Sequence, residues 1–331
     1  MRRATISGLL TALGGLILLG VVVMRVGVAD IAADVRQVGF GMLAIVAIGG
    51  VRFLMRAVAW RLCLEPPHTM SIRDAFAAVV CGDAIGNLTP LGPLVGEPAK
   101  AAFVRRHVAL GPAVTALAIE NVLYTLSAAA MIAAGMAALL LRFQLDPSIR
   151  GIGETAVAAA IVLFAVALWL LWRQPALISR ALGIAPSLRR HADRVRELEA
   201  QIYTFASRHR RALPALAAAE IAFHALGVAE VYLTLWLLSA PVSILTAFLF
   251  ESVNRLITVV FKFVPLRLGV DEAGTAVFAR IIGMAALTGL SLGIIRKVRV
   301  VFWAAVGGIL LVREGISITT PSLSQDPIER G

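Results

Sequence analysis

From Val108 to Leu141 the chain runs for 34 residues with a single charge, Glu120. About 20 apolar residues in a helix cross the roughly 30 Å hydrocarbon layer of a bilayer, and a run this long has no place on a water-soluble fold. Thr155–Trp172 carries no charge, and neither does Ile6–Met24, which follows Arg2 and Arg3. Phe40–Leu64 is apolar but interrupted by Arg52 and Arg56, Ala212–Phe250 holds two segments that part near Ala240-Pro241, and a last apolar segment lies near 285–312. Hydrophobic residues make up 59% of the chain and charged residues 15%, against about 45–50% and 25% in soluble domains. No segment sustains strand alternation, and in lipid only helices and closed barrels satisfy the backbone. The expectation is an all-α polytopic membrane protein; an ordinary soluble enzyme, a disordered chain and a disulfide scaffold are excluded. Cys63 and Cys81 have no redox or metal spacing and read as packing residues.

A net charge of +11 would suggest nucleic acid in a soluble chain. In a membrane chain it collects in cytoplasmic loops beside anionic lipid, and no nucleic-acid partner is expected. Arg173–Arg211 holds nine Arg and three acids, which places that linker in the cytoplasm together with Arg2 and Arg3. Spans at 6–24, 40–64, 108–141 and 155–172 return the chain there. Asp74–Pro90 and Glu97–Arg106 must then form one re-entrant hairpin, with Pro90, Gly92, Pro93 and Gly96 at its tip. After the linker, Ala212–Leu238 crosses outward, Ile244–Val264 and Glu272–Gly283 flank a second tip at Pro265–Gly269, and the last helix returns. The architecture expected is about six spanning helices and two re-entrant hairpins in one domain, 1–313, with a disordered cytoplasmic tail at 314–331. A cytoplasmic amphipathic helix from Pro186 to Arg211, capped by Ser187, joins the halves.

Sliding the sequence by 175 positions exposes a repeat. Residues 90–105 and 265–280 share seven of sixteen positions: Pro90/Pro265, Leu91/Leu266, Val95/Val270, Glu97/Glu272, Ala101/Ala276, Phe103/Phe278 and Arg105/Arg280. The surrounding units, 40–141 and 212–313, have equal length. Copies entering from opposite faces make an inverted-topology repeat, the arrangement in which secondary transporters build a midplane site from broken helices.

An ionisable group at the bilayer centre costs about 2.5–3.5 kcal/mol. Arg52, Arg56, Asp83, Glu97, Glu120, Glu220, Glu230, Glu251, Arg255, Lys262 and Arg296 all lie in or beside apolar segments, so they must pair or face water inside the bundle. Glu251, Arg255, Thr258 and Lys262 form one helical stripe with Asn254 beside it, and Asp83 with Asn87 and Arg52 with Arg56 are i, i+4 pairs. Long side chains at Arg52, Arg56 and Arg296 can also snorkel to the interface. Glu220 and His224 are i, i+4, but no third ligand stands at metal spacing, so neither a metal nor another cofactor is expected. There is no P-loop, nucleophile elbow or His-Glu-x-x-His.

Asn87, Pro90 and Gly96-Glu97-Pro98-Ala99-Lys100, with Pro265 and Gly269-Val270-Asp271-Glu272-Ala273, resemble the tips of the lysylphosphatidylglycerol synthase transmembrane domain, the flippase-like membrane family. The resemblance spans roughly 6–313. It implies movement of lipid between leaflets; in bifunctional members a separate soluble domain performs aminoacyl transfer, and no soluble segment here has the length for one. Glu120-Asn121 stands where the family often has Glu-Arg, and Arg267-Leu268 where its second tip is usually Gly-Gly. The reading is a lipid translocase of the cell membrane with both termini cytoplasmic, and not an enzyme. Its partner is a membrane lipid, phosphate-bearing, and a homo-oligomer is compatible with it. Arg52, Arg56, Asp83, Asn87, Glu97, Lys100, Glu120, Glu251, Asn254, Arg255, Lys262, Glu272 and Arg296 would line the head-group cavity. The alternatives are an intramembrane lipid-modifying enzyme using Asp83, Glu97 or Glu120 as acid or base, and an accessory subunit of glycolipid or hopanoid synthesis.

Overall fold

A computed structural model describes residues 28–89, 92–173 and 189–313. The expected span at 6–24, Arg2, Arg3, the tip residue Pro90, the cap Ser187 and the tail fall outside these residues. Every regular element among them is helical: α1 (Val28–Val38), α2 (Gly41–Leu62), α3 (Ile72–Leu88), α4 (Gly92–Phe103), α5 (Leu110–Arg142), α6 (Pro147–Arg173), α7 (Arg189–Arg208), α8 (Leu213–Leu237), α9 (Ile244–Val260), a 3-10 turn (Pro265–Arg267), α10 (Val270–Ile281) and α11 (Ala286–Arg313). Among the described residues α2, α5, α8 and the Pro147–Ala167 part of α6 are long and apolar enough to cross a membrane. The protein is a polytopic helical membrane protein.

Three elements depart from the sequence expectation. α4 starts at Gly92, five residues before the expected Glu97, so Gly92, Pro93 and Gly96 lie in its first turns and not in the tip, because Pro93 suits a position at a helix start. α6 starts two turns early because Pro147 suits a first helical position and Arg150 pairs with Glu154 at 2.9 Å one turn on. α1 was not foreseen at all. Its Val35 and Val38 pack on Ile45 and Ile295, and its Asp34 accepts a 2.5 Å hydrogen bond from Ser291 of α11.

The 175-residue repeat organises the packing. It maps α2 onto α8, α3 onto α9, α4 onto α10 and α5 onto α11, and α2 packs directly on α8. α3 lies against α11 as α9 lies against α5. Each of these pairings is closed by a glycine: Gly307 meets the Val80 backbone and Ala84, and Gly135 receives Ser252. Ser71 caps α3 through the Asp74 N–H at 3.1 Å, and Ser243 caps α9 through the Thr246 N–H at 3.0 Å. One apolar core surrounds Trp60 and takes in Phe205 of α7; a second surrounds Phe250 and Leu235. α6 stands at the periphery, with Ile161 62% and Trp169 47% exposed. Such an apolar surface belongs to a helix facing lipid.

α4 and α10 have twelve residues each, about 18 Å of helix at 1.5 Å per residue, too short for the roughly 30 Å hydrocarbon layer. Each follows a break, and the two breaks meet. A Cβ on Gly92 would sit 3.3 Å from the Lys262 carbonyl oxygen, and α3 touches the 3-10 turn. At that turn Leu266 and Arg267 hold φ of 51° and 47°, left-handed geometry that costs a residue with a side chain about 1–2 kcal/mol. Lys297 braces the strained turn by donating to the Leu266 carbonyl and, at 2.8 Å, to Asp271; Arg267 pairs with Asp271 at 3.2 Å.

Candidate functional site

Beside the two breaks lies a buried ionic cluster. Glu251 of α9 accepts from Arg52 of α2 at 3.1 Å, from Arg296 of α11 at 2.5 Å, and from Arg255 one turn along its own helix. Glu230 of α8 faces Arg52 at 2.9 Å, Arg299 at 2.8 Å and Arg296 at 3.7 Å. Both carboxylates are fully buried, and Arg52, Arg255 and Arg296 are 5–7% exposed. Four guanidiniums therefore share two carboxylates, leaving two positive charges in excess. Gly227 makes room for this: a Cβ there would stand 3.2 Å from the Arg52 guanidinium carbon and would overlap the Glu251 carboxylate. In the repeat Gly227 is the counterpart of Arg52, so the small residue of one copy receives the charge of the other.

A second constellation adjoins the first. Arg56 pairs with Glu120 at 2.9 Å and lies 3.9 Å above the Tyr124 ring. Asn121 donates to Glu97 at 2.9 Å, and Glu97 pairs with Lys100 at 2.6 Å. Arg255 joins the two groups by donating to the Tyr124 hydroxyl at 3.2 Å. Arg52, Arg255 and Arg56 stand 4.7, 5.1 and 6.0 Å from the centre of one ring, Phe223, whose negative π face favours cations. The Nη1 atoms of Arg56 and Arg296 are buried without a hydrogen-bond partner among the described residues. These are donors held ready in low dielectric, where an unmet hydrogen bond is costly.

The model of the lysylphosphatidylglycerol synthase TM region matches residues 5–307 of the 331. The chain belongs to this family. Comparison with curated proteins and with solved structures returns no match. Membership makes the protein an integral membrane domain with a membrane lipid-related role.

In this member of the lysylphosphatidylglycerol synthase transmembrane family, the residues singled out in the sequence do not all converge. Arg52, Arg255, Arg296 and Glu251 form the first cluster; Arg56, Glu97, Lys100 and Glu120 form the second. The pairing of Arg296 with both buried carboxylates replaces the snorkelling alternative. Asp83 accepts from Asn87 at 2.8 Å within the first hairpin. Glu272 is buried 3.5 Å from Lys297, at the second hairpin. Asn254 is half-buried beside the stripe. Lys262 is exposed at the tip, its ammonium 5.1 Å from the Phe263 ring, because α9 ends at Val260 and the helical stripe stops before reaching it.

Glu230, Arg299, Lys297, Asp271, Tyr124 and Phe223 belong to the site and were not among the expected cavity residues. Glu230 stands among the intramembrane charges of the sequence. Arg299 and Lys297 stand with Arg296 as a basic cluster within the last long apolar segment, and nothing in the sequence says that they turn inward. Asn121, the departure from the family's Glu-Arg, is used: it bonds both Glu97 and, at 3.3 Å, Arg56.

Proposed function

We propose that the protein moves a phosphate-bearing lipid between leaflets of the cell membrane, with its linker on the cytoplasmic side. The observation that carries the reading is the buried excess of guanidinium over carboxylate beside two broken helices. An isolated charge of that size in hydrocarbon is costly, and an anionic head group would neutralise it. Arg255 is placed to hand a phosphate between the two constellations, because it touches Glu251 on one side and Tyr124 on the other. The donors of Arg56 and Arg296 would take phosphate oxygens, and the fixed fork of Arg suits that geometry. Glu97 and Glu272 would hold the second arms of the hairpins through Lys100 and Lys297. The acyl chains would stay in the bilayer while the head group passes the meeting point of the tips, with no bond made or broken.

The test is leaflet exchange of a fluorescent phosphatidylglycerol in vesicles containing the purified protein. Exchange should exceed that of protein-free vesicles, and Arg255→Ala should lower it at least tenfold. Exchange indistinguishable from empty vesicles, or a lipid product of altered mass, overturns the reading.

A further inference from the structure

Three groups meet on one hydroxyl at the edge of this site, and none of them is a Lys or Arg. Ser127 Oγ of α5 lies 2.7 Å from Glu220 Oε2, 2.9 Å from the Tyr124 carbonyl oxygen and 3.0 Å from His224 Nε2. Glu220 is 7% exposed, and among the described residues it makes no ion pair. It is a buried carboxylate held by a neutral partner, in contrast to Glu120, Glu230 and Glu251, each of which contacts at least one Arg. His224 stacks against Tyr124 with the rings 9° from parallel, and its Nδ1 is buried without a partner among the described residues.

The order of the contacts excludes a nucleophilic triad. Such a triad needs the imidazole between hydroxyl and carboxylate, whereas here the hydroxyl stands between imidazole and carboxylate. The same order suits a proton. A hydroxyl has one hydrogen to give and two lone pairs to accept with. With Glu220 ionised, Ser127 donates to Glu220 and accepts from His224 Nε2–H. With Glu220 protonated, Glu220 donates to Ser127, Ser127 turns its hydrogen to the Tyr124 carbonyl, and His224 still donates to Ser127. Both states satisfy the hydroxyl, and they differ by one proton on Glu220 and one rotation of the Ser127 hydroxyl.

We propose that Glu220, Ser127 and His224 form a proton-binding site linked to anion binding at the neighbouring arginines. The inference rests on the head-group reading above and names its coupling ion. Arg56 is the cation that reaches toward the Glu220 turn of α8, standing 6.0 Å from the ring of Phe223 three residues on. Glu97, Glu120 and Glu220 face Arg56 and Lys100, one negative charge in excess. A proton on Glu220 removes that excess, so the pocket receives a phosphate more readily. By linkage, a bound phosphate raises the proton affinity of Glu220 by the same factor. Lipid and proton would then travel together.

The charged and titratable groups facing the site come from several of the helices packed around it: α4 brings Glu97 and Lys100 through Asn121 of α5, and α6 and α7 also pack on α5. Arg52, Arg56 and Cys63 belong to α2, Glu120 and Tyr124 to α5, and Glu251 and Arg255 to α9. Arg296 of α11 pairs with Glu251 and Glu230 and Arg299 with Glu230, while among the described residues α1 meets α8 at its far end, at Leu233 and Leu237.

The experiment is an infrared titration of the purified full chain in micelles, following the C=O stretch of a protonated carboxyl, with and without phosphatidylglycerol. A band that titrates, is absent in Glu220→Gln, and whose midpoint moves to higher pH by at least a 5-fold change in proton affinity with the anionic lipid supports the proposal. Ser127→Ala removes no charge; it should keep the band and displace its midpoint. A band that persists in Glu220→Gln, or a wild-type midpoint indifferent to the lipid, overturns the proposal. This readout needs no lipid movement. Vesicles that fail to exchange lipid while the linked titration is present would sink the translocation reading alone, and normal exchange without the linkage would sink the proton site alone.

Discussion

In the first hairpin Gly82 and Gly86 of α3 face Gly96 and Gly92 of α4. A Cβ on Gly96 would sit 2.6 Å from the Gly82 carbonyl oxygen, and one on Gly92 would sit 2.9 Å from that of Gly86. The two arms are zipped backbone to backbone. At the equivalent positions of the second hairpin, 175 residues on, stand Ile257, Phe261, Asp271 and Arg267. Its arms meet through the Ile257 side chain over Gly274, and α10 leans instead on the next helix. There a Cβ on Gly293 would sit 2.8 Å from Thr275 Oγ1 and 2.9 Å from Glu272 Cα, Gly289 admits the Thr275 backbone, and Lys297 holds Asp271 and Glu272. The first repeat has Val114 and Ala118 where the second has Gly289 and Gly293. Two copies of one motif thus hold their short helices in different ways. The placement of glycines decides which, because only a residue without a Cβ lets backbones approach so closely.

The largest effect should fall on the ionic cluster that both repeats share. Glu251→Gln leaves Arg52, Arg255 and Arg296 without their common carboxylate, and breaking a buried pair costs about 3–5 kcal/mol; the unfolding midpoint in detergent should drop steeply. An unchanged midpoint would mean that the cluster is hydrated and does not hold the halves together. Next comes Gly96→Ala, which forces two backbones apart at a cost of about 1–3 kcal/mol. Cross-linking between cysteines placed on α3 and α4 should weaken in parallel.

Gly274→Ala is the matched change in the second hairpin and should be far milder. The atom it meets is the flexible end of Ile257, whose displacement costs about 0.5–1.5 kcal/mol, offset by the roughly 0.5–1 kcal/mol that Ala gains over Gly within a helix. Equal losses for Gly96→Ala and Gly274→Ala would erase the distinction between the hairpins. The smallest effect belongs to Lys262→Gln. Exposed and without an acidic partner among the described residues, it should move the midpoint by no more than about 0.5 kcal/mol, and thermal melts compared with wild type will show it.

Much of the architecture could be read from the chain. Long uncharged runs have one solution in lipid, so α2, α5 and α8 fall within two residues of their expected bounds. Both hairpins were foreseen because their second arms are too short to cross and each is announced by Pro and Gly. α1 escaped because its apolar face covers only three turns, which periodicity in a single sequence does not separate from a loop. Within the site, Arg52, Arg56, Glu97, Glu120, Glu251 and Arg255 stood out because any charge among such neighbours is conspicuous. Arg299 and Lys297 did not, since with Arg296 they form one basic cluster within a long apolar helix, and spacing alone does not say which of the three turn inward.

The sequence alone determined that this chain is helical, that it lies in a membrane, that it contains two related units, and that its embedded charges must find partners. Local composition and spacing carry those statements, because the cost of a bare charge or an unbonded peptide in hydrocarbon does not depend on the rest of the fold. The partners themselves were decided by the tertiary structure. Arg52 reaches Glu230 and Glu251 across 178 and 199 residues of sequence, and Glu220 is left to a hydroxyl because Ser127 of α5, not an arginine, comes to rest beside it. Which faces of distant helices meet depends on how every side chain between them packs, and no window of the sequence contains that sum.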